Sequence, residues 1–258
     1  MGHFTRAELI IAAAARAWQD DDEIVAAGIG PLPRLAASLA KLTLNPKLLL
    51  TDGEYYFVED PVAIGPRDVS AFSAAGWAPY NRMFDIVWSG RRHAMVMPSQ
   101  IDRWGQMNIS CLGPHEKPKV QLVGVRGFPC NSVCHPNSMF VPAHSTRVFV
   151  PDEVDVVCSA GYNKKRWPNG ADMSRVDLRM IVTDLCIMDY KGPDRSIRVV
   201  SIHPGVTVGQ VQQATGFPLH MTSDLLQTNA PSEEELAIIR RLDPHNIRAT
   251  VIKGNPPG

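Results

Sequence analysis

Apolar residues recur at helical spacing in three long stretches of this chain. Thr5-Arg6-Ala7-Glu8 has the form of a capping box, in which Thr5 caps a helix and Glu8 reaches back. Leu9, Ile10, Ala13, Ala14 and Ala17 then build one apolar face that runs to Trp18. A second helix is predicted over residues 35–42, introduced by Pro31 and Pro33. A third, over residues 233–242, opens at a capping box of Ser232 and Glu235 and carries Leu236, Ile239 and Leu242 on one side. A shorter helix over 208–214 follows a capping box of Thr207 and Gln210 and stops at Gly216, with Pro218 behind it.

Between the helical stretches stand short apolar runs. Ile24-Val25-Ala26-Ala27 predicts a buried strand that stops at Gly28-Ile29-Gly30. Leu48-Leu49-Leu50 predicts another, stopping at Thr51-Asp52-Gly53-Glu54. A third buried strand is predicted over 120–124, running into Gly124-Val125-Arg126-Gly127-Phe128-Pro129-Cys130-Asn131. Shorter strands are expected at 84–88, 94–97, 140–142, 147–150 and 154–158, with residues 100–108 as a turn between extended pieces. Residues 179–183, 186–190 and 198–202 form the pattern of an antiparallel meander. Residues 60–80, rich in Pro, Gly, Ala and Ser, read as a long surface excursion. Helix, strand, helix, strand at the start of the chain predicts an α/β fold with a parallel sheet. No repeat and no linker divides the sequence, so residues 1–258 are expected to form one domain.

Composition narrows the function classes. Of 258 residues, 45% are hydrophobic, enough for one large core. Lys plus Arg number 26 and Asp plus Glu number 26, so the basic footprint of a nucleic-acid or anionic-membrane binder is missing. No apolar stretch reaches the ~18 residues of a membrane span, and Arg6, Glu8 and Arg16 interrupt any signal-like pattern at the N-terminus. A cytoplasmic protein is expected. Five cysteines, an odd number, fit reduced thiols better than a disulfide framework. Cys130-x-x-x-Cys134-His135 lacks a second ligand pair at finger-like spacing, so these read as loop or core thiols and no metal is expected.

The strand ends are the candidate sites, because ligands of open α/β sheets bind beyond the carboxyl ends of strands. Thr51, Asp52 and Glu54 follow one strand end directly, although Asp-Gly is equally a common turn pair. Gly28 and Gly30 let backbone approach a ligand closely or simply make a tight turn. They are not a dinucleotide fingerprint, since Pro33 stands where the third glycine belongs. The loop 161–174, with Lys164, Lys165, Arg166 and Trp167, reads as solvated or as a contact for a phosphate-bearing or carboxylate ligand.

Three stretches carry a family resemblance. Ser99-Gln100-Ile101-Asp102-Arg103-Trp104-Gly105-Gln106-Met107-Asn108, then Val182-Thr183-Asp184, then Thr207-Val208-Gly209-Gln210-Val211-Gln212-Gln213-Ala214-Thr215-Gly216-Phe217 are similar to motifs of class I CoA-transferase β subunits, the glutaconate CoA-transferase type. The resemblance covers nearly the whole chain. It implies an open α/β sheet with helices on both faces, a homologous α subunit as partner in an α2β2 heterotetramer, and an active site between subunits. CoA would be part of the substrate, so no separate cofactor is implied.

Departures from the family pattern bear on the chemistry. The family's catalytic glutamate aligns with Thr51, which has no carboxylate to form an anhydride or a glutamyl-CoA. Its glycine-rich oxyanion loop aligns with the segment around Gly124 and Gly127, where Arg126 adds a fixed positive charge. A divergent branch of the family, the Ipd hydrolases that open the last carbon ring in bacterial steroid catabolism, fits these departures. On that resemblance Thr51, Asp52, Glu54 and Arg126 are the catalytic candidates. Gly28, Gly30, Gln100, Gly124, Gly127 and Asn131 are the substrate-binding candidates. The expected reaction is hydrolytic C–C cleavage of a cyclic keto acyl-CoA thioester. An ordinary CoA-transferase using Asp52 or Glu54, and a non-catalytic sugar-phosphate or acyl-CoA binding protein, are the alternatives.

Overall fold

The structure, a computed structural model, describes residues 3–52, 56–66, 73–125, 127–169, 171–252 and 255. The chain forms two compact units, Met1–Val96 with Asn229–Gly258, and Met97–Thr228.

The first unit opens with helix α1 (Arg6–Ala15), whose predicted capping box is present on both sides. Strand β1 (Val25–Gly28) follows, then α2 (Pro31–Thr43), longer than predicted because Pro31 and Pro33 lie inside its first turn. Next come β2 (Leu50–Thr51), β3 (Tyr56–Val58) and β4 (Ala74–Trp77), an antiparallel three-stranded sheet. Part of the expected surface excursion is therefore a strand. Residues 84–88 are not a strand but lie in helix α3 (Met83–Trp88). Of its described side chains only Val87 is buried, so Ile86 and Val87 do not belong to a two-faced ribbon, and Phe84 stacks on Trp88 one turn on. Strand β5 (Arg92–Val96) closes this part and pairs with β1 in parallel, Val25 opposite Arg92 and Gly28 opposite Met95.

The second unit starts with two small hairpins, β6 (Gln100–Ile101) with β7 (Met107–Asn108), and β8 (Cys111–Leu112) with β9 (Val120–Gln121). The predicted turn over 100–108 is the first of these. The buried strand predicted over 120–124 is overturned: Val120 is 46% and Val123 67% exposed. Helix α4 (Phe128–Cys134) leads to β10 (Asn137–Val141), which pairs in parallel with β11 (Leu178–Thr183). The strands expected at 147–150 and 154–158 are absent: the Val148 and Phe149 N–H groups turn back to the Ser145 carbonyl at 2.9 and 2.8 Å, and the second segment is bent. Single bridges join Phe149 to Ile101 and Ser159, just past the second segment, to Met107, and Pro151 has no N–H to continue a ladder. The antiparallel meander is present as β11, β12 (Cys186–Asp189) and β13 (Arg198–Ile202). Helix α5 (Val208–Gln213), with its capping box, then feeds β14 (His220–Gln227), parallel to β13.

The chain returns to the first unit with α6 (Glu233–Leu242) and α7 (Ile247–Val251). Glu8 of α1 is fully buried and joins these helices: its carboxylate accepts from Arg240 at 2.8 Å, from Arg248 at 3.3 Å and from the Thr5 N–H at 2.8 Å. A buried carboxylate is tolerated because all of these donors converge on it. Apolar burial does the rest: Leu9, Ile10, Leu35, Leu39, Leu236 and Ile239 are almost wholly inaccessible.

Candidate active site

A cavity of 530 Å³ in the first unit runs along β1. It exists because Ala26, Ala27 and Gly28 are small, which leaves open space beside the strand. Gly28 has a second reason to be glycine. A β-carbon there would lie 2.2 Å from the Pro33 carbonyl oxygen and 2.5 Å from the Arg34 nitrogen, so α2 can fold back onto β1 only over a bare backbone. Gly30, at φ 112°, makes the turn that a side chain resists, and caps α2 without a side-chain bond. The positive end of a 13-residue helix therefore faces the cavity.

Thr51 lines the same cavity. The pairing explains how. Leu49 bridges Val25 in parallel, and its carbonyl accepts from Ala26 at 2.9 Å, so the chain two residues on ends level with the end of β1. Of the strand ends at Gly28, Thr51 and Gly124 that were expected to converge, Gly28 and Thr51 line this cavity together with Gly30, and Gly124 is not among its lining residues. Asp52 does something else: it is 3% exposed, its carboxylate accepts the Tyr56 N–H at 3.0 Å and its own N–H donates to the Tyr56 carbonyl at 2.9 Å. Both bonds tie Asp52 to Tyr56 at the start of β3. Glu54 and Arg126 lie outside the described residues.

Neither cation of the cavity, nor its Ser38 hydroxyl, was singled out in the sequence. Arg34 stands on the first turn of α2, and Arg92 opens β5 opposite Val25. Burial draws the Arg92 guanidinium down to about 10, so it keeps its proton at neutral pH while shielded from water. Arg34 follows Gly30 by one turn, a spacing that a strand–glycine–helix reading places beside the strand end. Arg92 carried no such signal, since only the strand register brings it here. With Ser38 and Thr51 these give a cavity of two fixed cations and two hydroxyls, and no carboxylate among its described lining residues.

The other predicted binding residues belong to the second unit. Gln100 is fully engaged within it: Oε1 accepts from Asn108 at 2.7 Å and from the Asp155 N–H at 3.1 Å, and Nε2 donates to Asp155 at 3.1 Å. That network ties the β6–β7 hairpin to the 153–158 segment. Gly124, at φ 88°, has open space where a β-carbon would stand and donates its N–H to the Ile109 carbonyl at 3.2 Å. Gly127 caps α4, and Asn131 is buried within that helix. In the same unit the Asp102 carboxyl of the hairpin turn is pushed up to about 7 by burial, although the Trp104 and Gln106 N–H groups both donate to it at 3.0 Å. His144 is held neutral down to about 3 by burial, between the hydroxyls of Thr183 and Thr215 at 3.1 and 2.9 Å. No helix among the described residues is long and apolar enough to cross a membrane.

No family model matches the chain. It is 40% identical over 250 residues to the cholesterol ring-cleaving hydrolase IpdB subunit of Mycobacterium tuberculosis, covering 96% of this chain and 99% of that one. It is 30% identical over 260 residues to a 3-oxoadipate CoA-transferase subunit of Pseudomonas knackmussii, covering 96% and 97%. Its structure superposes on a chain of the Rhodococcus jostii IpdAB crystal structure with a TM-score of 0.90, at 39% identity, over 98% of this chain and all of that one.

Proposed function

The chain belongs to the CoA-transferase family, in the branch of the cholesterol ring-cleaving hydrolase IpdB subunits, and from that membership we propose that it is the β subunit of a C–C bond hydrolase. Its substrate is a cyclic keto acyl-CoA thioester from steroid catabolism. It works with a homologous α subunit, as an α2β2 heterotetramer in the cytoplasm. The substrate brings its own CoA and no resident cofactor takes part.

The observation that carries hydrolysis over CoA transfer is Thr51. It lines the cavity at the position of the family's glutamate, and no carboxylate joins it among the described lining residues. Without that nucleophile there is no anhydride and no protein-bound thioester. Asp52 is a poor substitute, because its carboxylate is tied to the Tyr56 N–H.

Water is then the attacking species. It adds to the ring ketone, and the bond between that carbon and the α-carbon of the thioester breaks. The former ketone carbon becomes a carboxylate, and the electron pair passes to a thioester enolate that is protonated at carbon. Thr51 orients the water by its hydroxyl. Arg34 holds the negative charge that develops, through charge-assisted hydrogen bonds in a site partly shielded from water. Arg92 receives a carboxylate of the substrate further along β1. The partner subunit supplies the base that takes the proton from water.

Oxygen-18 water tests this directly on the purified complex. Label in the new carboxylate, with CoA still attached to the product, is the expected result. Rapid exchange of CoA onto acetate or succinate through a protein-bound thioester would establish the transferase reading instead.

A further inference from the structure

The second unit holds two neighbouring cavities that the ring-opening chemistry does not use. One, of 390 Å³, is lined by Gln106, Ser159, Trp167 and Pro129; the other, of 610 Å³, by Arg103 and Lys165; Asn163 and Arg166 line both. Two side chains of the first cavity, each 1% exposed, hold polar atoms with no hydrogen-bond partner: Oε1 of Gln106 and Oγ of Ser159. The Gln106 amide is fixed in orientation. Its Nε2 donates to the Glu153 carboxylate at 3.2 Å, and a carboxylate can only accept, so Oε1 is left as an acceptor. Ser159 is presented alongside, because Met107 bridges it and the Met107 carbonyl accepts the Cys158 N–H at 3.0 Å.

A buried acceptor left without a donor costs the full desolvation of that atom. A ligand that donates to Gln106 and accepts from the Ser159 hydroxyl removes that cost at both places. An amino-substituted nitrogen heterocycle does so with one edge: the amino group donates and the adjacent ring nitrogen accepts, as in adenine. Trp167 and Pro129 supply flat walls for such a ring, and Trp167 is held by its indole N–H on the Gly161 carbonyl at 3.0 Å.

The second cavity supplies the charge. Arg166 is occupied by Glu153. Arg103 packs over Trp104 and Phe217, 5.5 and 5.8 Å from the ring centres, and no carboxylate pairs with it among the described residues. With Lys165 it faces Asp152, so the wall keeps a net positive charge. Phosphate groups match that wall.

We propose that the two cavities form one site for an adenine nucleotide, with the base against Gln106 and Ser159 and the phosphates over Arg103 and Lys165. Two sources share this chemistry: a free adenosine phosphate, and the 3′-phosphoadenosine diphosphate end of a CoA ester. Only the second rests on the function proposed above.

The test uses the complex with its α subunit and adenosine 3′,5′-bisphosphate as probe, by calorimetry. The wild type binds it, and Arg103→Ala, Lys165→Ala and Ser159→Ala each weaken binding about tenfold, with unchanged melting temperature for Lys165→Ala, whose side chain is exposed. If the CoA end is the source, the bisphosphate competes with the acyl-CoA substrate, and Lys165→Ala raises KM about tenfold with kcat retained. If a free nucleotide is the source, it binds without competing and KM is unchanged. No binding by the wild type, or binding that none of the three variants weakens, overturns the site. Failure of the ring-opening assay would count against the proposed reaction and leave this binding measurement standing.

Discussion

Gly28 lies directly beneath Pro33, with its missing β-carbon 2.2 Å from the Pro33 carbonyl oxygen. Backbone, not a flexible side chain, fills that space, so nothing can swing aside. Gly28→Ala must push the first turn of α2 off β1. The expected cost is about 1–3 kcal/mol, read as a lower urea midpoint at unchanged m-value. Arg34 moves with that turn, so ring-opening by the complex should fall more than stability does. A variant as stable and active as wild type would mean that α2 is not held against β1 at this point.

Arg34 and Arg92 should separate in kinetics. Arg92→Ala removes a cation that binds substrate before and during the reaction, so KM rises and kcat is kept. Arg34→Ala removes charge that matters most in the transition state, so kcat falls. A charge-assisted hydrogen bond is worth about 1.5–3 kcal/mol, which makes each loss roughly 10- to 150-fold in kcat/KM. Arg92→Lys keeps charge without the planar fork and should recover part of the affinity. Unchanged steady-state constants in both alanine variants would remove the cavity from the reaction.

Thr51→Glu restores the family's carboxylate in a cavity built with two arginines. The new anion pairs with those cations, and the substrate's own negative charge is repelled. Loss of ring opening by about 10²-fold or more is expected on the same charge arithmetic. Intact-protein mass spectrometry after incubation with substrate would show whether the variant also traps a protein thioester; wild type should carry none.

Acid–base stability should show two opposed slopes in the second unit. His144 has its folded value drawn from the ordinary 6.5 to about 3, so the unfolded chain binds the extra proton and stability falls as pH drops below about 6.5. Asp102 has its folded value raised from 3.8 to about 7, so the folded chain binds the extra proton. Its contribution is complete below the unfolded value and is lost as pH rises towards 7. Each slope is on the order of 1 kcal/mol per pH unit, and between about pH 5 and 6.5 they cancel. Asp102→Asn keeps an acceptor for the Trp104 and Gln106 N–H groups and abolishes the titration. Denaturant midpoints for that variant should therefore rise with pH across this window, where the wild type stays nearly flat. A flat profile in the variant as well would show that neither group titrates as its burial implies.

Local physics was readable in the sequence wherever it needed only neighbours along the chain. The three capping boxes at Thr5, Thr207 and Ser232 each join residues three apart, and all are formed. The meander followed from alternation and its turns. Gly28, Gly30 and Thr51 could be picked out because strand ends are marked by where apolar runs stop, and the missing carboxylate at Thr51 needed only an alignment on Gly53.

Tertiary structure decided what depends on register and burial. Residues 84–88 and 120–124 have the composition of strands, yet composition does not say whether a core is present to cover them; Val120 and Val123 face solvent. Thr51 and Asp52 are adjacent, and only the pairing of β2 with β3 sends one to the cavity and ties the other to Tyr56. Arg92 enters the site because β5 pairs with β1, two segments more than 60 residues apart. Gln106 reads as one polar residue among many until folding buries it and Glu153 fixes its amide. Each of these is a matter of which distant segment packs alongside, a choice made by the whole core rather than by the residues themselves.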